Sequence, residues 1–178
     1  MLANTIQSTE KLETSRLKVC AKGMHTEELK SLFSDPKSME FYPQFMLNAQ
    51  LTIDILLAFA QKAGLHIFSI QHKAEGGIIG AVTFNNVEEF CKRIEVGYFL
   101  ISTHWRKGYA NEILKAIIEC LKKEGWHRIE ATVYSGNDAS QKVLQKNGFT
   151  LEGVLRDKYI INGKYHDDIV YSIIVPEN

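Results

Sequence analysis

The stretch HWRKGYANEILKAII, residues 104–118, joins an apolar strand to an amphipathic helix without the small polar cap that usually starts one. Residues 94–101 just before it, IEVGYFLI, read as a strand. After it, Ile113, Leu114, Ile117 and Leu121 form one helical face, with Glu112, Lys115, Glu119 and Lys122 on the watery side. Between the two elements stand Arg106, Lys107 and Gly108. A helix start presents unpaired N–H groups and a partial positive charge, which together attract anions. Gly108 lets backbone approach a ligand with no Cβ in the way, and Ala110 keeps the first turn thin. Arg106 and Lys107 add charge suited to a pyrophosphate. The same residues also suit a plain strand-to-helix turn with solvated cations. Neither a P-loop nor a dinucleotide fingerprint is present.

Working outward, residues 16–20 read as a first strand, 26–33 as a helix closed by Asp35-Pro36, and 49–62 as a second helix with Gly64 just past it. Residues 66–70 and 78–84 are strands around a glycine turn at 73–77, and 93–101 continues the antiparallel run. Beyond the decisive helix, which Gly125 ends, come a strand at 128–134 and a helix at 137–146 stopped by Asn147-Gly148. Phe149 begins an irregular return. Residues 158–165 form a hairpin with an Asn-Gly turn, and 169–175 are the last strand. The order β, α, α, β-β-β, α, β, α, β-β predicts a mixed α/β sheet.

The bulk properties set bounds. The 178 residues, 45% hydrophobic and 24% charged, suit a single domain spanning 1–178 with a core from about 12 to 175. Twenty-one basic residues balance 21 acidic ones, which argues against a nucleic-acid or membrane partner. Cys20, Cys91 and Cys120 are odd in number and far apart, with no C-x-x-C pair. They suggest no zinc site or disulfide framework, and a reducing, cytoplasmic setting. The N-terminal residues lack a signal-peptide pattern, and the apolar window 51–60, which contains Asp54, is too short to span a bilayer. The histidines at 66, 72, 104, 127 and 166 are scattered without metal-ligand spacing, so no metal is expected. Neighbouring His166, Asp167 and Asp168 would point to alternate faces of a strand. Trp105 and Tyr109 suit core packing better than stacking on a ligand.

A second set of motifs narrows the reading. Asn137-Asp138-Ala139-Ser140 opens a helix that ends in Lys146-Asn147-Gly148-Phe149. With WRKGYA at 105–110, LETSRL at 12–17, EVGY at 95–98 and GKYHDD at 163–168, the chain resembles the GNAT superfamily of acetyl-CoA-dependent N-acetyltransferases. Within it, the pattern is similar to the ribosomal-protein N-terminal acetyltransferases of RimJ/RimL type, over roughly residues 12–175. The resemblance implies two parallel strands that splay apart around acetyl-CoA, the co-substrate. The pantetheine arm would meet backbone near Phe99, Leu100 and Ile101. The pyrophosphate would lie on Arg106, Lys107, Gly108, Tyr109 and Ala110, with Asn111 close by. Asn137 would contact the pantetheine or its turn, and Ser140 would sit near the thioester.

Acetyl transfer to an amine requires a neutral nucleophile, a polarised carbonyl and a stabilised leaving thiolate. Glu95, mid-strand among apolar residues, is the candidate base; its plainer role is a solvent-facing strand residue paired with Lys92 or Arg93. Many GNAT enzymes carry a tyrosine acid seven residues after the motif asparagine, where this chain has Leu144. Ser140, a helix start or water would stabilise the thiolate instead. The cysteines show no activating partner, which favours direct attack over an acyl-enzyme. The resemblance implies the N-terminal α-amine of a (ribosomal) protein as the acceptor. The alternatives are a small amine (polyamine, amino sugar or antibiotic) or an acyl-CoA-binding module without turnover. Residues 26–62 and the hairpin at 159–165 would wall the acceptor site, and the chain would be a monomer or homodimer.

Overall fold

The computed structural model describes residues 1–20, 35–38, 40, 62, 64–161 and 163–176. The helices expected at 26–33 and 49–62 lie outside these, apart from Lys62. The seven strands are β1 (Leu17–Cys20), β2 (His66–His72), β3 (Ile78–Glu88), β4 (Arg93–Leu100), β5 (Arg128–Tyr134), β6 (Thr150–Ile161) and β7 (Lys164–Ile174). They form one sheet in the order β1-β2-β3-β4-β5-β7-β6. Three α-helices are described: α1 (Leu2–Glu10), α2 (Tyr109–Lys123) and α3 (Asp138–Lys146). The predicted mixed α/β architecture is the one observed.

Strand alternation divides the sheet into two faces. Ile94, Val96 and Leu100 of β4, with Ile129, Ala131 and Val133 of β5, belong to one buried core. Ile113, Leu114, Ile117, Ile118 and Leu121 of α2 and Leu144 of α3 complete it. The opposite face carries Glu95, Thr132 and Asp168. Burying apolar surface at about 25 cal/mol per Å² makes the α2 stripe the main anchor of this layer.

Three elements differ from expectation. The N-terminal helix α1 has only a short apolar stripe; it packs Ile6 against the core beside the buried Thr5 and Thr9, and Trp126 Nε1 donates to Thr5 Oγ1 at 2.8 Å. The return after Phe149 is not irregular but the 12-residue edge strand β6. Register shifts at Leu151/Gly153 and Leu155/Tyr159 break its alternation and leave Leu151, Val154 and Leu155 exposed. The second arm of the expected hairpin and the expected last strand are one strand, β7. Among the described residues, no helix is long and apolar enough to cross a membrane.

Candidate active site

The β4–α2 connection starts with a 3-10 turn, Ser102–His104, whose first N–H donates to Asp35 Oδ2 at 2.8 Å. Asp35 therefore pins this turn. Arg106 and Gly108 then adopt left-handed backbone with φ of 60° and 83° on either side of Lys107. Alternation into the left-handed region turns successive amides toward one side and makes an anion-binding concavity. Gly108 is the N-cap of α2, and no side chain caps that helix. Its first-turn N–H groups, uncapped by any side chain, stand beside the exposed Arg106 and Lys107, an arrangement that fits a pyrophosphate. Ala110 and Asn111 are half-buried behind them, and Asn111 Oδ1 accepts from Asn147 Nδ2 at 3.0 Å, tying α2 to α3.

The segment preceding β1 clamps this loop from below. Arg16 Nη1 donates to the Lys107 carbonyl at 3.1 Å, its guanidinium lies 4.4 Å from the Tyr109 ring centroid, and Nη2 sits 2.6 Å from Glu112. Glu112 also accepts from the hydroxyls of Thr14 and Ser15 and from the Arg16 N–H. Glu112 thus belongs to the clamp and not to the solvated face expected for it. Tyr109 is buried, its hydroxyl 2.9 Å from His72 Nε2, and His104 Nε2 is 2.9 Å from Glu75. Trp105 Nε1 donates to the Leu100 carbonyl at 2.7 Å. Both aromatics are packing residues.

Burial opposes ionisation of Glu112, but the hydrogen bonds from Thr14, Arg16 and Ser15 outweigh it and hold its carboxyl at about 2, below the usual 4.5. A depressed carboxylate stabilises the fold above its unfolded value and loses that contribution as pH falls through its folded value. The clamp should therefore contribute fully above pH 4.5 and vanish toward pH 2. Urea titrations of wild type and Glu112→Gln should show a gap of up to about 3 kcal/mol at pH 6 that closes through this window. A gap independent of pH would mean that the carboxylate's charge is not what holds the loop.

Strands β4 and β5 run parallel but pair only at Arg93–Arg128, Ile94–Ile129 and Glu95–Glu130. Past Glu95 they separate, as the resemblance implied. Main-chain direction alternates along β4. Lys92 O accepts from Arg128 N on the β5 side, whereas Ile101 N donates to Ile79 O on the β3 side. Val96, Tyr98 and Leu100 thus turn their backbone groups toward the gap, while Phe99 and Ile101 turn theirs toward β3. The Leu100 carbonyl is already bonded to Trp105. The sequence reading did not single out Val96 and Tyr98 as facing the gap, because the phase of the main chain is not encoded in the residue pattern.

Glu95 stands at the last rung before the separation, 9% exposed. Asn86 Nδ2 donates to its Oε2 at 2.6 Å and Thr132 Oγ1 to its Oε1 at 2.8 Å. Asn86 reaches it from the bulge between Asn85 and Glu88, with φ of 48°. Neither Lys92 nor Arg93 pairs with Glu95; Arg93 bonds Glu88 and Glu130. On the other face, the Asn137 side chain caps α3 by accepting from Ser140 N at 3.1 Å. Ser140 Oγ lies 2.9 Å from the Tyr98 hydroxyl. Burial pushes the Tyr98 phenol up to about 12 despite that bond, so it stays protonated and can donate. Glu95 and Ser140 thus flank the gap from opposite faces of the sheet. Leu144, in the usual acid position, is fully buried in the core. The Cys120 thiol is pushed up by burial, and among the described residues no cluster of His, Cys, Asp and Glu is arranged to hold a metal.

Residues 20–150 match the family described as the acetyltransferase (GNAT) domain. The N-acetyltransferase YoaA of Bacillus subtilis (strain 168) is 32% identical over 156 residues, covering 84% of this chain and 88% of that protein. The ribosomal-protein-serine acetyltransferase of Escherichia coli (strain K12) is 29% identical, covering 75% of this chain and 76% of its own length. Among solved structures, RimL, a ribosomal-protein alpha-N-acetyltransferase in complex with coenzyme A, superposes with a TM-score of 0.78 at 24% identity. That match covers 93% of this chain and 97% of RimL.

Proposed function

This chain belongs to the GNAT acetyltransferase family, and on that premise we propose that it acetylates the N-terminal α-amine of a protein, a ribosomal protein in the first instance. It is an acetyl-CoA-dependent N-acetyltransferase; what is proposed is the acceptor and the residues that serve it. When bound, acetyl-CoA supplies an acetyl group activated as a thioester. The α2 amides with Arg106, Lys107 and Gly108 hold the pyrophosphate. The backbone of Val96 and Tyr98 lines the pantetheine path.

The observation that carries the reading is Glu95, a buried carboxylate fixed by Asn86 and Thr132 where the strands part. An α-amine titrates near 8 and a lysine near 10.4, so a carboxylate, alone or through a water, suffices for an α-amine near neutral pH. On the opposite face, the Tyr98 and Ser140 hydroxyls form a donor pair for the leaving sulfur, in place of the phenol that Leu144 replaces. The match to a ribosomal-protein-serine acetyltransferase over three quarters of both chains supports a protein N-terminus.

The test has two parts. Acetyl-CoA and coenzyme A, but not ATP, should raise the melting temperature; at 100 times its dissociation constant a native-state ligand adds about 2.7 kcal/mol. Coenzyme A release should then be fastest with peptides beginning in Ser or Ala. A preference for spermidine, or for an N-blocked peptide containing lysine, would replace the proposed acceptor.

A further inference from the structure

Asp168 lies on β7 opposite Tyr134 of β5, on the sheet face that carries Thr132 and Glu95. It is 2% exposed, and its Oδ2 is buried without a hydrogen-bond partner. The nearest cation, the Lys158 ammonium, stands 3.9 Å from Oδ2, beyond hydrogen-bond reach, on a side chain that is 43% exposed. Lys158 sits in the bulged part of β6, between the Leu155 and Tyr159 rungs. Tyr159 packs edge-on against Tyr134 with ring centroids 4.9 Å apart. Leaving a buried carboxylate oxygen unmatched is costly, and a neutral side chain here would be cheaper to bury. Such an atom calls for an explanation.

The surroundings supply one. Burial raises the Asp168 carboxyl; the Lys158 charge works against that, and the Glu95 charge adds to it. The Tyr159 hydroxyl lowers it by hydrogen bonding to the carboxylate, which still leaves Oδ2 without a partner. Asp168 therefore feels the charge of Glu95. Glu95 has both oxygens occupied, whereas Asp168 has one to spare. The position already draws a primary ammonium from the chain itself.

We propose that Asp168 seats the acceptor's ammonium group beside Glu95, a positioning role that rests on the acetyl-transfer reading above. The charged amine donates one hydrogen bond to Asp168 Oδ2 in place of the distant Lys158. It gives one proton to Glu95, directly or through a water. The freed electron pair forms the N–C bond while the C–S bond breaks, the second nitrogen proton leaves with the sulfur, and Glu95 returns its proton to solvent. Glu130 on this face is neutralised by Arg93 and Arg128, whereas Glu95 and Asp168 have no arginine partner, and that pair favours a cationic acceptor over a neutral or anionic one.

The experiment compares wild type with Asp168→Asn and Asp168→Glu, using a peptide that begins with serine. Asp168→Asn should raise the peptide KM about tenfold to a hundredfold, the range of one charged hydrogen bond, with the acetyl-CoA Kd unchanged by calorimetry. Its ligand-free melting temperature should equal or exceed that of wild type, because the unmatched buried charge is gone. Asp168→Glu should recover part of the peptide affinity. A wild-type KM in Asp168→Asn, or lost turnover with a lowered melting temperature and unchanged KM, overturns the seat while leaving the transfer reading standing. A wild-type protein that transfers acetyl to no amine overturns both. Should Asp168→Asn not fold, Lys158→Ala decides: a lower peptide KM supports the seat, and an equal or higher one removes it.

Discussion

Gly108→Asp loses at least about a hundredfold in affinity for acetyl-CoA and for free coenzyme A while the chain still folds. The backbone at this position has φ of 83°, and a Cβ there meets only Arg16 Nη2 at 3.5 Å, an ordinary contact. Aspartate is among the residues that tolerate left-handed backbone, so the folding cost stays near 1 kcal/mol. The electrostatic cost is larger. At the surface, two unit charges 4 Å apart interact with about 4 kcal/mol, and the new carboxylate would face the pyrophosphate across that kind of distance. It would also compete for Arg16, whose guanidinium holds the Lys107 carbonyl. Gly108→Ala separates strain from charge: it should melt near Gly108→Asp but bind within severalfold of wild type. Calorimetry with coenzyme A checks both. Equal affinity in wild type and Gly108→Asp would mean that the pyrophosphate lies elsewhere.

The loop was legible in sequence because its signals are local. A glycine ahead of a 3.6-residue apolar period marks both the helix and the missing cap, and both are present. What the sequence hides is long-range. Glu112 carries the marks of a solvated helix face, yet its partners lie 96 to 98 positions away. The LETSRL stretch at 12–17 was legible as a motif, and only the folded chain gives it a reason: Thr14, Ser15 and Arg16 grip the first turn of α2. Helix α1 left little apolar period because two of its inward positions are threonines, one of which, Thr5, accepts a tertiary hydrogen bond from Trp126. Strand β6 was lost for the converse reason. Two register shifts move its apolar residues out of phase, so alternation, the main strand signal, is absent.

The candidate base shows the same division. Its sequence context marked Glu95 as unusual, a carboxylate among apolar strand residues. The groups that hold it were invisible. Asn86 reads as a turn residue and acts from a bulge, and Thr132 is one of several β-branched residues in β5. Leu144 was legible as a departure, and the Tyr98–Ser140 contact suggests how the chain accommodates it. That contact joins residues 42 positions apart and needs the sheet to exist first.

Glu95→Gln should reduce kcat by about a hundredfold to ten-thousandfold, the span of a general base, and leave the acetyl-CoA Kd within twofold. The substitution is close to isosteric, and its hydrogen bonds can be kept. The amide oxygen accepts from Asn86 Nδ2, and the amide nitrogen donates to Thr132 Oγ1, which can turn to accept. Folding is therefore preserved, and a coenzyme site on the far side of the gap has no reason to change. What disappears is an acceptor for the amine proton. The loss should shrink as the pH rises above that of the free α-amine, because the nucleophile then arrives neutral without help. Stopped-assay turnover with a serine-initiated peptide between pH 6 and 10, alongside calorimetry with acetyl-CoA, reads both effects. A kcat within threefold of wild type at pH 7 removes Glu95 from proton transfer. Asp168, the other carboxylate of that face that no arginine pairs, would then be the group to examine as base. Loss of coenzyme binding together with turnover would instead make Glu95 a structural member of the gap, holding Asn86 to Thr132 across the last rung of the ladder.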